Sequence, residues 1–241
     1  MTASSELNQM VPAYDELYGM DNRLTQDWYP QRVIALSQGE ALLELGMGHG
    51  GATAAFAQHF KRYQVVEGSA DMIQRFRTRF NLPQVDVHHG FFEDFETEER
   101  FDHISMGFVL EHVQDVQAVL RRFRRFLKAD GTLFVAVPNA DSLHRRIGHA
   151  SGLLADLKQL SAADQRLGHI RYFNLQSLKQ ELHQAGFETS VAEGIMLKPF
   201  TTPQMEKLDL SAAVLGGLMV VAQQYPELAN SLLVMARRRP V

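Results

Sequence analysis

From Ala41 onward, short runs of β-forming residues alternate with stretches of helical length, and no other feature constrains the fold as much. Each β-rich run ends at a glycine or proline or just before one, as strands that enter turns do. Repeated strand–helix units predict an α/β fold in which helices cover both faces of a parallel sheet. Strands are predicted at 41–46, 62–68, 84–90, 101–107 and 131–138, and helices at 50–60, 69–80 and 115–130.

The C-terminal part of the chain continues this pattern. A helix is predicted to begin near Leu175 and to stop near Gly186, with a strand after it. Residues 199–227 look helical, and 230–239 form a last strand. Gly216 and Gly217 weaken a helix in this region, and close packing against another helix, within the chain or in a homodimer, would explain them.

Composition narrows the class of protein. With 241 residues, of which 45% are hydrophobic and 22% charged, the chain suits one globular α/β domain. A net charge of −4 without a basic tail gives no reason to expect a nucleic-acid partner. The absence of cysteine excludes disulfides and thiolate metal sites. No secretory signal is recognised, and the longest apolar run, 212–222, is too short to span a bilayer, so no membrane association and a cytoplasmic location are expected.

The stretch "ALLELGMGHGGAT" at 41–53 leads from a buried strand through a glycine turn into a helix. Such a turn brings backbone N–H groups close to a ligand at a helix N-terminus. Glu67, about twenty residues on, ends the second strand, where a carboxylate can accept hydrogen bonds from ribose hydroxyls. Gly46, Gly48 and Gly51 fit a dinucleotide motif, whereas Glu44 with Gly46, Gly48 and Gly50 fits E-x-G-x-G-x-G, so the turn alone leaves the ligand open.

Six segments in order extend the pattern: "LLELGMGHG", "VVEGSADMI", "HGFFEDFE", "FDHISMGFVLEHVQD", "LKADGTLFVAVPNADSLHRRIG" and "LGHIRYFNLQSLKQELHQAGFE". Together they resemble the class I S-adenosylmethionine-dependent methyltransferases over roughly residues 40–195. More narrowly, they are similar to the ubiquinone-biosynthesis-type O-methyltransferases that act on small molecules. The resemblance implies a Rossmann-like, doubly wound, seven-stranded sheet, mostly parallel with one antiparallel strand near the C-terminus. S-adenosylmethionine (SAM) is the implied cofactor.

The resemblance also implies a division of the chain. Residues 1–40 are expected to form an N-terminal helical cap and 41–138 the SAM-binding Rossmann-like core. Residues 139–174 would form a helical insertion on the substrate side. Residues 175–241 would complete the core, with a further helical insertion at about 199–227. The insertions are expected to act as lids over the acceptor, because binding residues tend to lie on loops over a rigid scaffold.

Roles in cofactor binding are carried over from the family residue by residue. The turn from Glu44 through Gly46, Gly48 and Gly50 would hold the methionine part of SAM, with Glu44 acting on the amino end through the loop or water. Glu67 would bind the ribose.

The adenine side is expected to use Met72, Phe92 and Glu93, and Met106 would lie beside the sulfonium. The family often has an aspartate where this chain has Phe91, which leaves Glu93 or a backbone carbonyl to hold the adenine amine. Met72 could equally be a core residue, and a core role is the less favoured alternative for Phe91 and Phe92.

The acceptor side needs a base only if the acceptor is protonated, as a phenol or alcohol would be. His112 in "LEHV" and His169 in "LGHIRYF" are the candidates for catalysis. His88 and His89 are adjacent on a strand and point to opposite faces, and no metal site is predicted.

Substrate contacts are expected from the insertion and from the N-terminal region. The mixture suits an anionic or aromatic acceptor, although solvated arginines on a lid explain it as well. The candidates are Tyr14, His144, Arg145, Arg171 and Tyr172.

The predicted function is methyl transfer from SAM to an oxygen or nitrogen of a small-molecule metabolite. Two alternatives remain: a SAM-binding module without catalysis that serves a partner protein, and a methyltransferase acting on protein or nucleic acid. The Asn/Asp-Pro-Pro-aromatic signature of amino-directed DNA enzymes is missing after the fourth strand, where "SMGFVLEH" stands.

Overall fold

The structure is a computed structural model that describes residues 7–8, 11–13, 16–17 and 19–239. Seven strands form one sheet in the order β3-β2-β1-β4-β5-β7-β6. All neighbours are parallel except β7, which is antiparallel to both β5 and β6. The predicted fold class, with one antiparallel strand near the C-terminus, is confirmed. The strands are β1 Ala41–Leu45, β2 Arg62–Glu67, β3 Asp86–His89, β4 Phe101–Gly107, β5 Leu127–Pro138, β6 Phe187–Ile195 and β7 Ser231–Arg238.

Helices cover both faces of this sheet. β1 shows why, because its side chains alternate between two apolar clusters. Leu43 packs in one cluster with Phe123, and Leu42 packs in the other with Val33 and Phe56. The helices are α1 Met20–Leu36, α2 Gly51–His59, α3 Ala70–Phe80, α4 Val116–Arg124, α5 Leu143–Ala150, α6 Ala162–Arg166, α7 Leu175–Gln184, α8 Thr202–Lys207 and α9 Ala212–Ala222.

The helix predicted over 115–130 is too long at its C-terminal end. α4 ends at Arg124, and Leu127 already belongs to β5. The Phe101 N–H of β4 donates to Phe126 O at 2.8 Å, and Phe101 is paired with Leu127 in parallel register. The sheet therefore takes backbone groups that a longer helix would have used. Helical spacing could not reveal this, because Leu127 continues the apolar spacing of Leu120 and Phe123 in the sequence and is buried in the strand as well.

Helix α1 packs tightly against the carboxyl end of β4. A Cβ at Gly107 would lie only 2.6 Å from Tyr29 Cε1, so the ring occupies the space beside this glycine. The Tyr29 hydroxyl is hydrogen-bonded to Ser105 Oγ. Lys198 and Asp21 form a buried ion pair, with 2.6 Å between Nζ and Oδ2, which joins α1 to the segment after β6.

Hydrogen bonds join the two ends of the stretch between β5 and α7 to each other and to the loop after β4. Ala140 N–H donates to Phe173 O at 2.7 Å, and Ile170 N–H donates to Glu111 O at 2.9 Å. The buried Asn139 anchors the start of the stretch, because its Nδ2 donates to the carbonyls of residues 226, 227 and 229.

Helix α9 presents apolar side chains to the surface. A Cβ at either of its glycines, Gly216 or Gly217, would meet no atom within 4 Å, so close packing within the described part of the chain does not explain them. A homodimer remains a prediction. Among the residues described, no helix combines the length and the apolarity needed to cross a membrane. Three valines of α9 are 42–52% exposed: Val214, Val220 and Val221.

Candidate active site

A glycine turn joins β1 to α2 in the left-handed region of backbone space. The φ angles of Gly46, Gly48 and Gly50 are +71°, +47° and +80°. Gly46 N–H donates to Val66 O and Gly50 N–H donates to Met47 O, both at 2.8 Å, which closes the turn against β2. The turn therefore ends at the N-terminus of α2, where unpaired backbone N–H groups favour a ligand with acceptor atoms.

Gly51, the first residue of α2, has a different surrounding from the other glycines. A Cβ there would meet no atom within 4 Å, so packing does not require glycine at this position. Gly50 is the position under constraint, because a Cβ there would lie 2.6 Å from Phe76 Cδ2 and 2.9 Å from Phe80 Cε2.

Glu67 lies at the end of β2, directly beside this turn. Its Oε2 accepts a hydrogen bond from Met47 N at 3.0 Å, and its Oε1 accepts one from Ser69 N at 2.7 Å. Burial raises the pKa of this carboxyl, and the hydrogen bonds from Met47 and Ser69 oppose that rise. Because a carboxylate oxygen can accept more than one hydrogen bond, Glu67 can hold the turn and still bind ligand hydroxyls.

Glu44, the last residue but one of β1, is buried and faces side chains of the protein. Its Oε2 accepts hydrogen bonds from Thr53 Oγ1 at 2.8 Å and from the Tyr63 hydroxyl. Burial raises the pKa of Glu44 to about 8. These hydrogen bonds connect β1 with α2 and β2, the elements on either side of the glycine turn, so Glu44 stabilises the turn through the protein rather than through the ligand.

Two phenylalanines after β3 flank the ligand side of the turn. A Cβ at Gly68 would lie 3.5 Å from Phe91 Cδ1, and one at Gly46 would lie 3.9 Å from Phe92 Cζ. Glu93, which follows them, is exposed to solvent.

Residues near the N-terminus cover the same region. A Cβ at Gly68 would lie 2.7 Å from Leu7 Cδ1, and the Ser69 hydroxyl donates to Asn8 Oδ1 at 2.8 Å. Val11 belongs to a buried cluster that also contains Met47 of the turn and Met72 of α3. Met72 is therefore part of a packed cluster next to Glu67.

Met106, near the end of β4, is fully buried in the larger core cluster. Its side chain packs in the sheet interior, so a contact with the cofactor would have to come from its backbone. The loop that follows β4 does reach the glycine turn, since a Cβ at Gly46 would lie 3.5 Å from Val109 Cγ2.

That loop brings a carboxyl and two imidazoles together. One donor atom each of Glu111, His112 and His169 can be chosen so that all three lie within 4.8 Å of one another. The two imidazole centroids are 4.8 Å apart. Burial raises the pKa of Glu111 to about 7, and burial together with the neighbouring His169 lowers the pKa of His112 to about 4.

Asp164 of α6 stands behind His169, with 3.2 Å between His169 Nδ1 and Asp164 Oδ1. Asp164 also accepts hydrogen bonds from Ser161 N at 2.7 Å and from the Tyr172 hydroxyl at 3.1 Å. Burial acts to raise the pKa of Asp164, but contact with His169 and the hydrogen bonds from Ser161 lower it overall. Asp164 is therefore an ionised carboxylate within ion-pair distance of His169.

The comparisons with known proteins bear on this arrangement. A family model described as a methyltransferase domain matches residues 21–190, more than half of the chain. The chain belongs to this family.

Relatives of the methyltransferase domain differ in length and in sequence. The chain is 32% identical over 114 residues to a (S)-coclaurine N-methyltransferase of Papaver somniferum, a match that covers 45% of the chain and 32% of that protein. The chain thus spans about a third of the length of the curated relatives it matches.

Solved structures match over nearly the whole chain. One is a SAM-dependent methyltransferase of Thermotoga maritima, named as a possible histamine N-methyltransferase, with a TM-score of 0.67, 19% identity and coverage of 98% and 99% of the two chains. Another is the N-methyltransferase NodS of Bradyrhizobium japonicum in complex with S-adenosyl-L-homocysteine, with a TM-score of 0.59, 15% identity and coverage of 92% and 89%. These likenesses show the fold. At the level of the family, they and the family match confirm the predicted methyltransferase class and SAM as its cofactor.

Among the predicted substrate residues of the methyltransferase domain, Arg145 is used within the protein. Its guanidinium donates to Leu157 O at 3.0 Å and to Gln159 O at 2.5 Å, and it stacks on the Tyr172 ring with 4.2 Å to the centroid. These contacts shape the insertion and leave little of Arg145 for an anionic acceptor. Arg171 is half-buried and donates to Gln114 O at 3.0 Å.

His144 and Tyr14 complete the predicted substrate contacts. His144 Nδ1 lies 3.2 Å from Ser142 Oγ, and burial together with the charges of Lys198 and Arg145 lowers the pKa of His144 to about 3. His144 is therefore a neutral imidazole next to α1 and the segment after β6. Tyr14 lies outside the described residues.

Two acidic residues of the site escaped the sequence analysis. Glu111 stands beside His112 in "LEHV", so its position was visible, but its complete burial was not. Asp164 follows Ser161 at the spacing of a helix capping box, which the structure forms. The same residue that caps α6 also contacts His169, and only the folded chain brings these two roles together.

Proposed function

We propose that the chain transfers the methyl group of SAM to an oxygen or nitrogen of a small molecule. The glycine turn and Glu67 carry this proposal, because the Met47 N–H to Glu67 hydrogen bond holds a ligand-binding turn and a buried carboxylate side by side. Both lie at the carboxyl edge of the parallel strands, where ligands of open α/β sheets bind.

The residues around the turn fit this cofactor. Open space beside Gly48 leaves the backbone free to approach a ligand, and Glu67 retains acceptor capacity for two hydroxyls. We assign the adenine side to Phe91, Phe92 and the backbone before Glu93. Glu44 acts through the position of the turn, since its carboxyl is already bonded to Thr53 and Tyr63.

The acceptor is proposed to lie between the loop after β4 and the segment 168–172. His112 and His169 face each other there and are our candidates for contact with the acceptor's polar atom. The insertion at 139–174 and the helices in 199–227 would define its shape, with Arg171 and Tyr172 at the edge. Arg145 is proposed to hold this wall in place.

When bound, SAM supplies a sulfonium methyl that passes to the acceptor's lone pair, and the electrons of the broken C–S bond stay on sulfur. The protein's task is then to orient the acceptor and to exclude water. A proton on an acceptor hydroxyl or ammonium must leave, and solvent or an imidazole can take it.

The class of acceptor is the finer part of the proposal. The sequence resembles ubiquinone-biosynthesis-type O-methyltransferases, whereas the curated relatives include N-methyltransferases of alkaloids. Because those relatives are matched over about a third of their length, both oxygen and nitrogen acceptors belong in the assay.

Calorimetric titration with SAM and with S-adenosylhomocysteine tests the cofactor site. Loss of hydrogen bonds to a charged group costs about 1.5–3 kcal/mol each, so Glu67→Ala should weaken binding by at least about tenfold. Asp71→Ala is the matched control, since this acid is exposed in the first turn of α3. Equal affinity of both variants would refute the assignment of Glu67.

Turnover tests catalysis. Labelled SAM is offered with pools of small amines, phenols and alcohols, and transfer of label to one class is the expected result. Binding of SAM without transfer to any pool would instead favour a cofactor-binding module, and transfer only to protein or nucleic acid would refute a small-molecule acceptor.

A further inference from the structure

Glu111 is the most unusual polar side chain in the described part of the chain. It is 0% exposed, and neither of its carboxylate oxygens has a hydrogen-bond partner among the described residues. A buried carboxyl in this condition carries a large desolvation cost unless a cation or donor binds it. Its donor atom lies within 4.8 Å of donor atoms of His112 and His169, so three electron-pair donors share one small volume.

We propose that Glu111, His112 and His169 form a binding site for one divalent transition-metal ion. Two imidazoles and one carboxylate are a known ligand set for zinc and for non-haem iron. Magnesium and calcium prefer oxygen ligands, so this donor set favours zinc, cobalt or iron over them.

The surrounding groups orient the two imidazoles in the way that metal sites require. His112 Nδ1 lies 3.2 Å from Gly168 O, so its N–H on that side donates to the carbonyl and Nε2 is left with a free lone pair. His169 Nδ1 faces the Asp164 carboxylate at 3.2 Å, an ion-pair distance without hydrogen-bond geometry, so that carboxylate lies on the Nδ1 side of the ring and Nε2 lies on the other side. A ligand histidine that points its other nitrogen at a carbonyl or carboxylate is the usual arrangement around a metal.

The backbone fixes the distance between the ligands. Ile170 N–H donates to Glu111 O at 2.9 Å, which joins the segment carrying His169 to the loop carrying the other two residues. The site is therefore held by two chain segments 57 residues apart or more, and it forms only in the folded protein. Charge also balances, since Glu111 and Asp164 together supply two carboxylates for a divalent ion.

A metal ion at this position would act as a Lewis acid on a polar atom of the acceptor. A hydroxyl oxygen keeps a lone pair after it binds an ion, whereas a neutral amine nitrogen has only one. The site therefore favours an alcohol or phenol as acceptor. This preference rests on the proposed function, but the metal site itself does not.

Metal binding is measured on the full chain without SAM, after chelator treatment and dialysis. Titration with zinc chloride should show one site, and Glu111→Gln and His169→Ala should each weaken it at least tenfold. His59→Ala, which changes an exposed histidine at the end of α2, should bind as the parent chain does. Circular dichroism of each variant shows whether it is folded.

A second measurement needs no variant. Cobalt chloride added to the unmodified chain should give visible absorption with the intensity of a low-symmetry nitrogen and oxygen site, and zinc should abolish it. No zinc site, equal zinc affinity of the Glu111→Gln and parent chains with both folded, or a cobalt spectrum identical to that of the free ion would each overturn the proposal.

The outcomes of this experiment and of SAM titration are independent. Zinc binding without SAM binding would support the metal site and refute the proposed function. SAM binding without zinc binding would support the cofactor site and refute the metal site. If methylammonium binds at Glu111 and zinc does not, the carboxyl of Glu111 is a binding site for an amine, and the metal site is refuted.

Discussion

Replacing Gly50 with alanine tests whether the turn between β1 and α2 is shaped by backbone conformation and by packing together. Gly50 has φ +80°, a region in which a residue with a Cβ is strained by about 1–2 kcal/mol. The new Cβ would also lie 2.6 Å from Phe76 Cδ2. Phe76 is 2% exposed and its ring is 5.3 Å from that of Phe80, so it cannot move without disturbing the cluster. Overpacking of this kind costs about 1–3 kcal/mol.

Together, the two effects predict that Gly50→Ala lowers the free energy of unfolding by about 2–5 kcal/mol. In a domain of this size 1 kcal/mol corresponds to about 2–4 °C in Tm, so a fall of about 4–20 °C is expected. Gly48→Ala is the matched control, because φ is +47° there but a Cβ meets no atom within 4 Å. Its loss should be limited to strain, about 1–2 kcal/mol.

Gly51→Ala provides the opposite control. This residue begins α2 and a Cβ there meets no atom within 4 Å, so alanine should leave stability unchanged or raise it by up to about 1 kcal/mol. Urea unfolding followed by circular dichroism measures all three variants. If Gly50→Ala is no less stable than Gly48→Ala, contact with Phe76 and Phe80 does not constrain the turn.

Three further predictions concern buried polar groups. Burial raises the pKa of Glu44 to about 8 from an unfolded value near 4.5. Between these values the folded chain keeps a proton that the unfolded chain loses, so the free energy of unfolding should fall as the pH rises from about 5 to 8. Glu44→Gln should flatten that slope in urea unfolding at several pH values, and an unchanged slope would contradict the shift. Asp21→Ala leaves the buried Lys198 without its carboxylate and should lower the free energy of unfolding by about 3–5 kcal/mol. Arg166→Ala breaks an exposed ion pair and should lower it by less than about 1 kcal/mol. Equal losses of the two variants in urea unfolding would rule out a special role for the buried pair. Asn139→Ala should lower the free energy of unfolding by about 1–3 kcal/mol and speed amide hydrogen exchange at residues 226–230. Unchanged exchange would show that the three hydrogen bonds of Asn139 do not anchor that loop.

Much of the fold could be predicted because alternation and helical spacing are local properties of the sequence. The sheet, its helices and the position of Glu67 beside the glycine turn all follow from short segments. The end of α4 could not be predicted in this way, since pairing of Leu127 with Phe101 across the sheet decides it.

The acceptor side was harder to predict for the same physical reason. His112 and His169 were selected singly, by their surroundings in the sequence. Their approach to each other depends on the hydrogen bond from Ile170 to Glu111, which no local pattern contains. Arg145 shows the opposite case. Its charge predicted a contact with the substrate, but its N–H groups donate to backbone carbonyls of the protein.

The two attachments of the insertion have a consequence for how such a chain can acquire new acceptors. The hydrogen bond from Ala140 to Phe173 joins the two ends of the insertion to each other, and the one from Ile170 to Glu111 joins its C-terminal end to the loop after β4. We therefore expect the stretch 146–156, which lies before the Leu157 and Gln159 carbonyls that bind Arg145, to tolerate replacement while the cofactor turn and the histidine pair keep their geometry.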